Sequence, residues 1–507
     1  MEAIKKTGVK MGIRNKTRNN VLLIMICTLI SKFLGLIREM ILASKFGTGI
    51  ISDSYIVSLS IQEVIFTSLS SAILINYIPV FAKIKNAEKE KKFNGILITS
   101  LIVIITLLII VILIFKNQIL KIFVVGYTNE QLEYLGKMVS VSIFSVYFLL
   151  IGYVFKGFLE YKEKFFCTAV NGILLNVGLI GGILLGNNDH FTYLSFGVLF
   201  GYFLNFIIML YFSIKNGFKA KITFDFKNEE LKKVIVLTIP LIFNDAVWEI
   251  NTLIDKSITS SLGTGYISAL NYGNFIVSCI ITIFVNSVLN VYFPKLVKNS
   301  DDEDYLKNQS SKIFKLLAAI CLPTITLLFI YSKDITKILF FRGAFDTKSL
   351  EITATAIKLY SLGIIFTAYK TIMFKLYYAK QDTKMPSISA TISIVINIAL
   401  SLILIKYIGY KGVIIATIIS SFVSSLFLHE LYKKRYVNLI DKNLIRSLLK
   451  IIIFNIVFFA LTYLTLKISI LIFNATYTLY IAFNIVIIVI LLVLYMLLLL
   501  KLKIISL

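Results

Sequence analysis

The chain has 507 residues, of which 58% are hydrophobic and 16% charged, and its mean hydropathy is +0.87. A soluble protein cannot hide that much apolar surface, so the composition excludes a soluble protein and predicts an all-α polytopic membrane protein. The formal net charge of +25 comes mainly from lysines in short loops between apolar runs. This pattern reports membrane orientation and excludes nucleic acid as the expected partner.

Apolar runs long enough to cross a membrane recur along the whole chain. A helix needs about 20 residues to cross a hydrocarbon core of about 30 Å. The apolar residues do not alternate as they would in a barrel, which leaves helices as the predicted spanning elements. We predict fourteen spans, at residues 20–43, 57–82, 95–115, 138–158, 165–186, 191–213, 234–261, 267–294, 314–331, 354–376, 387–405, 411–431, 449–466 and 477–500.

Loop charge predicts the orientation of these spans. Lysine and arginine concentrate in the loops after the second, sixth and twelfth spans, whereas alternate loops carry few basic residues. Because basic loops remain in the cytoplasm, both termini, including the basic residues 1–19, are predicted to be cytoplasmic. The loop after the ninth span is an exception, with Lys333, Lys337, Arg342 and Lys348 on the predicted outer side.

The two halves of the chain contain an internal repeat. SKFGTGIISDSY at residues 44–55 matches SSLGTGYISALNY at 260–272, and YIPVFAKIKN from Tyr77 matches YFPKLVKN from Tyr292 at nearly the same offset. The offset covers six spans, so both copies have the same orientation, and transporters place substrate between such halves. We predict an N-lobe at 20–216, a cytoplasmic linker at 217–233, a C-lobe at 234–432 and an appended helix pair at 449–507.

The first span carries charges inside an apolar helix. Lys32, Arg38 and Glu39 lie within it, and a glycine turn leads from it to Asp53. A charge at the centre of a membrane helix costs about 2.5 to 3.5 kcal/mol, so these side chains are expected to face a cavity, a partner or a ligand. Arginine and lysine together suit a phosphate or pyrophosphate, because guanidinium binds two oxygens at once and lysine adds a point charge.

The seventh span, the counterpart of the first in the repeat, carries a similar stripe. At 3.6 residues per turn, its residues Asp245, Glu249, Thr252 and Lys256 share one face, with Asp255 beside them. Two facing polar stripes predict a hydrated central cavity, and Glu63 in the second span extends its lining.

Internal neutralisation is the alternative interpretation of these charges. Acids and bases would pair within the protein and pin the helix bundle together, without binding a ligand. The pairs would be Glu249 or Asp255 with Lys256, and Glu39 with Lys32 or Arg38. Lys370 in the tenth span is expected to extend its ammonium group to the membrane interface.

The sequence contains no motif of a soluble catalytic or nucleotide-binding domain. GxxxxGK[ST] and HExxH are absent, and the four cysteines fall within predicted spans without paired spacing, so neither a disulfide nor a metal site is predicted. We predict a transporter and not an enzyme, without a cofactor. A monovalent cation gradient, the membrane potential or the gradient of the substrate itself would drive it.

These segments resemble the MurJ (MviN) family of lipid II flippases, within the larger group of multidrug, oligosaccharidyl-lipid and polysaccharide flippases. The resemblance is carried by SKFLGLIREMILASKFGTGIISDSYIVS from Ser31, YIPVF from Tyr77, LFFRGAF from Leu339, FKLYYAKQDTKMP from Phe374, and Asn397. It implies a V-shaped, two-lobed bundle that moves undecaprenyl-pyrophosphate-linked peptidoglycan precursor from the inner to the outer leaflet by alternating access. The last two helices would form a groove for the lipid tail.

The resemblance also implies site residues. The bases that meet the pyrophosphate fall on Lys32 and Arg38, and the adjoining acids on Glu39 and Asp53. Ser31, Glu63 and Asn274 complete the predicted headgroup site, with Asp245, Glu249, Asp255 and Lys256 as cavity or coupling residues. The chain departs from the family where a cavity arginine falls on Asn274, and where polar positions of the second span fall on Phe66 and Ser71. A cation site known in some members falls on Asp245 and Asp382.

The sequence thus predicts a monomeric lipid II flippase of the bacterial cytoplasmic membrane, with the lipid-linked glycan and membrane lipids as its partners. A flippase for a capsule, O-antigen or teichoic-type lipid-linked glycan is the alternative. A membrane glycosyltransferase would need paired carboxylates in a long outer loop, where only Asp334, Asp346 and Glu351 occur. A drug exporter of cations would favour acids over Lys32 and Arg38.

Overall fold

The computed structural model describes residues 2–225, 228–473 and 477–505, with side chains throughout except at 2–22 and 239–248. Over these residues the chain is helical and contains no strand, which confirms the all-α class. The helices are α1 Glu2–Phe46, α2 Ile50–Phe81, α3 Ala87–Ile114, α4 Lys116–Phe123, α5 Asn129–Ser142, α6 Ser145–Tyr161, α7 Phe165–Leu185, α8 Tyr193–Lys215, α9 Glu229–Ser260, α10 Tyr266–Lys298, α11 Glu303–Ile330, α12 Ser332–Phe340, α13 Thr347–Leu362, α14 Ile364–Ala379, α15 Lys384–Ile408, α16 Tyr410–Arg435, α17 Lys442–Ile472 and α18 Tyr477–Lys501.

Every predicted span lies on one of these helices or on a bent pair of them. Among the described residues, ten helices are long and apolar enough to cross a membrane, and up to twelve spans result if each bent pair counts as one. The bent pairs are α5 with α6, at 40°, and α13 with α14, at 44°. The first and seventh predicted spans fall on α1 and α9, which include residues whose side chains are not described. The predicted number of fourteen is therefore compatible with the structure.

The chain divides into two compact units. The first unit comprises Met1–Ser268 with Arg342–Asp346, and the second unit comprises Ala269–Phe341 with Thr347–Leu507. Helix α9 belongs to the first unit because it packs along α2, where Asn76 Nδ2 donates a hydrogen bond of 3.1 Å to Thr238 Oγ1. The lobes at 20–216 and 234–432, the linker at 217–233 and the appended pair at 449–507 follow the sequence repeat, and these boundaries remain predictions.

Aromatic packing fixes the end of α2 in the first unit. The Tyr77 and Phe81 rings stack with their centroids 5.1 Å apart, and the Tyr77 hydroxyl donates to Asn94 Oδ1 at 2.9 Å. Asn94 Nδ2 in turn donates to the carbonyl of Lys219 at 3.0 Å, so the segment after α8 is tied to α3. These buried contacts hold the loop between α2 and α3 in a defined position.

Helices α7 and α8 approach closely through paired glycines. Gly178 and Gly182 on α7 face Gly201 and Gly197 on α8, and a Cβ added at Gly182 would lie 2.5 Å from Gly197 Cα. Small residues spaced by four let membrane helices pack backbone to backbone. This contact places α7, and with it Asn176, beside α1.

Gly182→Ala is expected to lower the free energy of unfolding by about 1 to 3 kcal/mol, because the two backbones must separate to admit the methyl group. Thermal unfolding of the purified protein in detergent measures the change. Gly181→Ala is the matched control, since among the described residues no neighbouring helix or side chain comes within 4 Å of a Cβ added there. Equal melting temperatures for the two variants would contradict the close approach.

In the second unit, α17 and α18 pack against α11 through a buried polar network. The Tyr331 hydroxyl donates to Asn484 Oδ1 at 3.0 Å, and Asn484 Nδ2 donates to Ser469 Oγ at 2.9 Å. The Phe458 and Tyr495 rings lie 5.6 Å apart in the apolar layer beside this network. The two last helices are therefore an integral part of the second unit.

Candidate functional site

The charged residues of the first span form a partly buried ion pair. One terminal guanidinium nitrogen of Arg38 lies 2.5 Å from Glu39 Oε1, and the side chains are 19% and 4% exposed. This is one of the neutralising pairs that the alternative interpretation predicts. The pair is not saturated, because Arg38 Nε and Glu39 Oε2 make no hydrogen bond with the described residues. It therefore keeps a donor and an acceptor for a ligand or a rearranged state.

Asn176 on α7 connects this ion pair to Ser31. Its Oδ1 accepts a long hydrogen bond of 3.5 Å from Arg38, and its Nδ2 donates to the carbonyl of Ser31 at 3.2 Å. The structure thus brings the predicted residues Ser31, Arg38 and Glu39 together, but through a residue that the sequence reasoning missed. The sequence did contain a signal for Asn176, because it is an amide side chain within an apolar, membrane-length helix. A buried amide needs hydrogen-bond partners, so such a residue indicates a polar contact inside the protein.

Lys256 on α9 lies within electrostatic range of several carboxylates of the first unit. Its ammonium group donates a short hydrogen bond to Ser60 Oγ on α2. It is also attracted electrostatically by four carboxylates, those of Glu39, Glu63, Glu249 and Asp255. Glu39 therefore pairs with Arg38 and also attracts Lys256 electrostatically, which links the residues around Arg38 to those around Lys256. We call this the polar cluster and define it as Arg38, Glu39, Ser60, Glu63, Asn176, Glu249, Asp255 and Lys256.

The charge of the polar cluster differs from that of a purely cationic lining. Four acids accompany two bases, Arg38 and Lys256, so carboxylates outnumber cations within it. Lys32 is half-buried on α1 and forms no ion pair with the described residues. Lys32 is thus a base with its charge open to an anion, whereas Arg38 must exchange or share its contact with Glu39.

Glu63 opens a π-helical segment in the middle of α2. The segment runs from Glu63 to Thr67, and a second π segment, Ile281–Asn286, lies at nearly the corresponding position of the repeat in α10. Glu63 is exposed although it lies halfway along a membrane-length helix. π segments often occur at functional sites, because they re-aim side chains and interrupt the regular hydrogen-bond ladder. This placement supports the prediction that Glu63 extends the polar lining.

Asp53 holds the turn before α10. Its side chain is fully buried, Oδ2 accepts from the Gly265 amide at 2.6 Å, and Oδ1 accepts from the Ser268 amide at 2.8 Å. Amides at the start of a helix lack partners within it, and a carboxylate satisfies them well. These contacts account for the burial of Asp53 without a ligand, and its predicted role in headgroup binding remains a prediction.

The remaining predicted residues lie elsewhere. Asn274 is exposed on α10 in the second unit. Asp382, also in the second unit, accepts from the amides of Lys384 and Met385 at 3.1 and 3.2 Å and lies 3.5 Å from Arg435. The side chain of Asp245 lies outside the described residues, so the predicted cation site at Asp245 and Asp382 stays a prediction.

Lys370 does not reach the membrane interface as expected. Its side chain is only 4% exposed. Helix α14 packs against α10, α11 and α16, so a side chain on its covered face cannot extend to the surface. The expectation for Lys370 was wrong, because the sequence does not reveal which face of the helix is covered.

The sequence of the chain matches a known family of transporters. A sequence model described as lipid II flippase MurJ matches residues 42–488. The chain belongs to the MurJ family. A probable lipid II flippase MurJ of Borreliella burgdorferi is 26% identical over 445 residues, covering 87% of this chain and 88% of that protein. The corresponding protein of Treponema pallidum is 24% identical over 440 residues, covering 82% and 81%.

Solved structures show the same fold. A structure described as lipid II flippase MurJ in an inward closed conformation superposes with a TM-score of 0.82 at 25% identity, covering 94% of this chain and 98% of that one. An inward-facing multidrug transporter of the MATE family superposes with a TM-score of 0.67 at 14% identity, covering 83% and 98%. MurJ membership and the multi-pass membrane architecture are thus established, and the resemblance inferred from the sequence is confirmed.

Lys256→Met is expected to lower the free energy of unfolding by about 2 kcal/mol, because it leaves acids of the polar cluster without their cation. The side chain is half-buried, so the effect is smaller than for a fully buried pair. Melting temperatures in detergent measure it, with Lys121→Met on the exposed face of α4 as the control. Adding Glu63→Gln to Lys256→Met should restore part of the loss. No recovery in the double variant would contradict the charge balance.

Proposed function

We propose that this protein flips lipid II, the undecaprenyl-pyrophosphate-linked peptidoglycan precursor, from the inner to the outer leaflet by alternating access. The observation that carries the proposal is membership of the MurJ family over residues 42–488. Relatives of nearly full coverage bear the name probable lipid II flippase MurJ. The other lipid-linked glycans remain the competing substrates in the experiment below.

The polar cluster supports binding of a charged headgroup. It lies on helices of membrane length, where ionisable groups are costly and serve transport pathways or internal pairs. Lys32 and Arg38 offer a point charge and a planar fork of donors, the combination that suits a pyrophosphate. The carboxylate of Glu39 competes for Arg38, so headgroup binding would exchange one ionic contact for another and not leave a bare cation.

An apolar cleft in the second unit supports binding of a lipid tail. It has a volume of about 200 Å³ and lies where α17 meets α11 and α14. Its walls include Phe314, Leu317, Tyr369, Leu444 and Leu448. Apolar walls of this kind suit an isoprenoid or acyl chain.

The proposed substrate indicates where the protein acts and what could drive it. Lipid II is made at the cytoplasmic membrane, so we place the protein there, with both termini in the cytoplasm as the loop charges predict. The protein would act as a monomeric transporter without catalytic chemistry. A monovalent cation or the membrane potential would drive the cycle, and the carboxylates around Lys256 are the groups that a coupling ion or proton would meet.

Genetic rescue tests the substrate. The chain is expressed in bacterial strains that each lack one flippase, for lipid II, for an O-antigen lipid or for a capsule or teichoic-type lipid. We expect growth to be restored in the strain that lacks its lipid II flippase. Rescue of another strain, with none of the lipid II strain, would overturn the assignment of the substrate.

A further inference from the structure

A basic cleft opens in the first unit where the loop after α2 meets the start of α9. Residues 79–89 and 229–237 line it, and its volume is about 910 Å³. We call it the basic cleft. Five lysines converge on it, namely Lys83, Lys85, Lys89, Lys232 and Lys233. Glu229 and Glu230 are its acidic residues, so the lining carries an excess of positive charge.

The five ammonium groups have no ionic partner in the part of the chain that the structure describes. They are exposed, and none of them forms an ion pair with the described residues. Two neighbouring lysines behave differently, because Lys91 pairs with Glu88 at 2.5 Å and Lys92 pairs with Asp225 at 2.9 Å. Glu88 and Asp225 are thus engaged outside the cleft, and the five lysines still exceed its two lining acids, so the cleft keeps a net positive charge.

The position of the lysines is unfavourable for the helices themselves. Helices α3 and α9 both begin at the cleft, capped by Asn86 and Asn228, whose side chains accept from the Glu88 and Leu231 amides at 2.8 and 3.0 Å. A cation near a helix N-terminus opposes the helix dipole, whereas an anion there is stabilised. Local helix stability therefore does not explain Lys89 and Lys232. The helix dipoles favour instead the acids of the same first turns, Glu88 and Glu90 on α3 and Glu229 and Glu230 on α9.

The walls of the basic cleft are apolar on the side of the membrane spans. Val80 lies near the end of α2, and Val236 and Leu237 lie in the second turn and beyond on α9. Val236 and Leu237 are 58% and 48% exposed, so they can contact hydrocarbon. A cationic rim above an apolar wall fits an anion that carries a hydrocarbon chain better than it fits a free inorganic ion.

We propose that the basic cleft binds the phosphate group of an anionic lipid in the leaflet that it faces, which loop charge predicts to be the cytoplasmic one. The preference for basic loops on that side explains lysines in the loop sequence. It does not explain why five of them, from two distant segments, converge on one cavity without an ionic partner among the described residues. Both membrane phosphatidylglycerol and the undecaprenyl pyrophosphate carrier have the required phosphate chemistry. The site stands whether or not lipid II is the transported lipid.

Native mass spectrometry of the full-length protein tests the site. The protein is released from detergent micelles that contain phosphatidylglycerol, undecaprenyl pyrophosphate or phosphatidylcholine, and the bound lipid is titrated. Lys232→Ala with Lys233→Ala is the test variant. Lys433→Ala with Lys434→Ala is the matched control, because it removes two adjacent exposed lysines at the end of α16, on the same predicted side.

We expect the test variant to bind at least one of the two anionic lipids about 30-fold more weakly, from roughly 1 kcal/mol per lysine, and the control to bind like the parent protein. Lys232→Arg with Lys233→Arg should retain binding, and raising the salt concentration should weaken it. Loss with phosphatidylglycerol assigns the cleft to bulk membrane lipid, and loss with undecaprenyl pyrophosphate assigns it to the carrier. Equal binding by the test and control variants would overturn the proposal. So would the absence of a preference for either anionic lipid over phosphatidylcholine, whose phosphate is balanced by a positive charge.

Discussion

Arg38→Ala is expected to abolish rescue of a strain depleted of its lipid II flippase. Two effects contribute, because the change removes the planar donor proposed to meet the pyrophosphate and also leaves Glu39 buried without its cation. An unpaired buried carboxylate costs about 3 to 5 kcal/mol, so the single variant is also expected to be less stable. Colony formation at matched membrane levels of the protein measures the functional loss.

A double variant separates the two effects of Arg38. Arg38→Ala with Glu39→Ala removes both charges and should regain most of the stability, since no orphaned ion remains. If Arg38 binds the headgroup, the double variant still fails to rescue growth although its melting temperature recovers. Arg38→Lys keeps the charge but loses the fork, and it should rescue weakly. Full rescue by the double variant would contradict headgroup binding by Arg38 and leave the Arg38–Glu39 pair with a structural role only.

Asp53→Ala is expected to lower the free energy of unfolding by about 2 to 6 kcal/mol, because the buried amides of Gly265 and Ser268 both lose their acceptor. An unsatisfied buried group costs about 1 to 3 kcal/mol, and two are created here. Asp53→Asn keeps one carbonyl acceptor and should cost about half as much. Thermal unfolding in detergent and the amount of protein in the membrane are the measurements.

Asp189→Ala provides the control for Asp53. Asp189 is an exposed acid in the loop between α7 and α8, so its removal should leave the melting temperature unchanged. If Asp53→Ala unfolds at the same temperature as the parent protein, Asp53 does not hold the turn before α10. If the Asp53→Ala variant is stable but fails to rescue growth, the result would support the predicted role of Asp53 in headgroup binding.

The membrane spans were predictable because hydrocarbon imposes a simple rule. A spanning segment must satisfy its backbone hydrogen-bonding groups within the helix and present about 20 apolar residues to the hydrocarbon. Runs of apolar residues of that length are visible in the sequence. The glycine turn was equally visible, and a Cβ added at its Gly47 would lie 2.4 Å from the carbonyl oxygen of Ala344. The amide of Ala344, in the RGAF segment, donates to the carbonyl of Ser44 at 2.7 Å, so both segments of the resemblance meet in the first unit.

The partners of the charged residues were less predictable. A stripe on one helix shows that Lys256 and Glu249 share a face, but not that Ser60 and Glu63 of α2 lie opposite them. Asn176 escaped notice because its function depends on the approach of α7 to α1. Placement of α9 in the first unit also follows from packing against α2, which the repeat does not encode.

The most direct test measures lipid II in the outer leaflet of cells depleted of their own lipid II flippase. A membrane-impermeant enzyme that degrades exposed lipid II reports its appearance. Expression of this chain should restore degradable lipid II, and expression of Arg38→Ala with Glu39→Ala at the same membrane level should not. If lipid II stays inaccessible in cells that hold the folded parent protein in the membrane, the account of this protein as a lipid II flippase is contradicted.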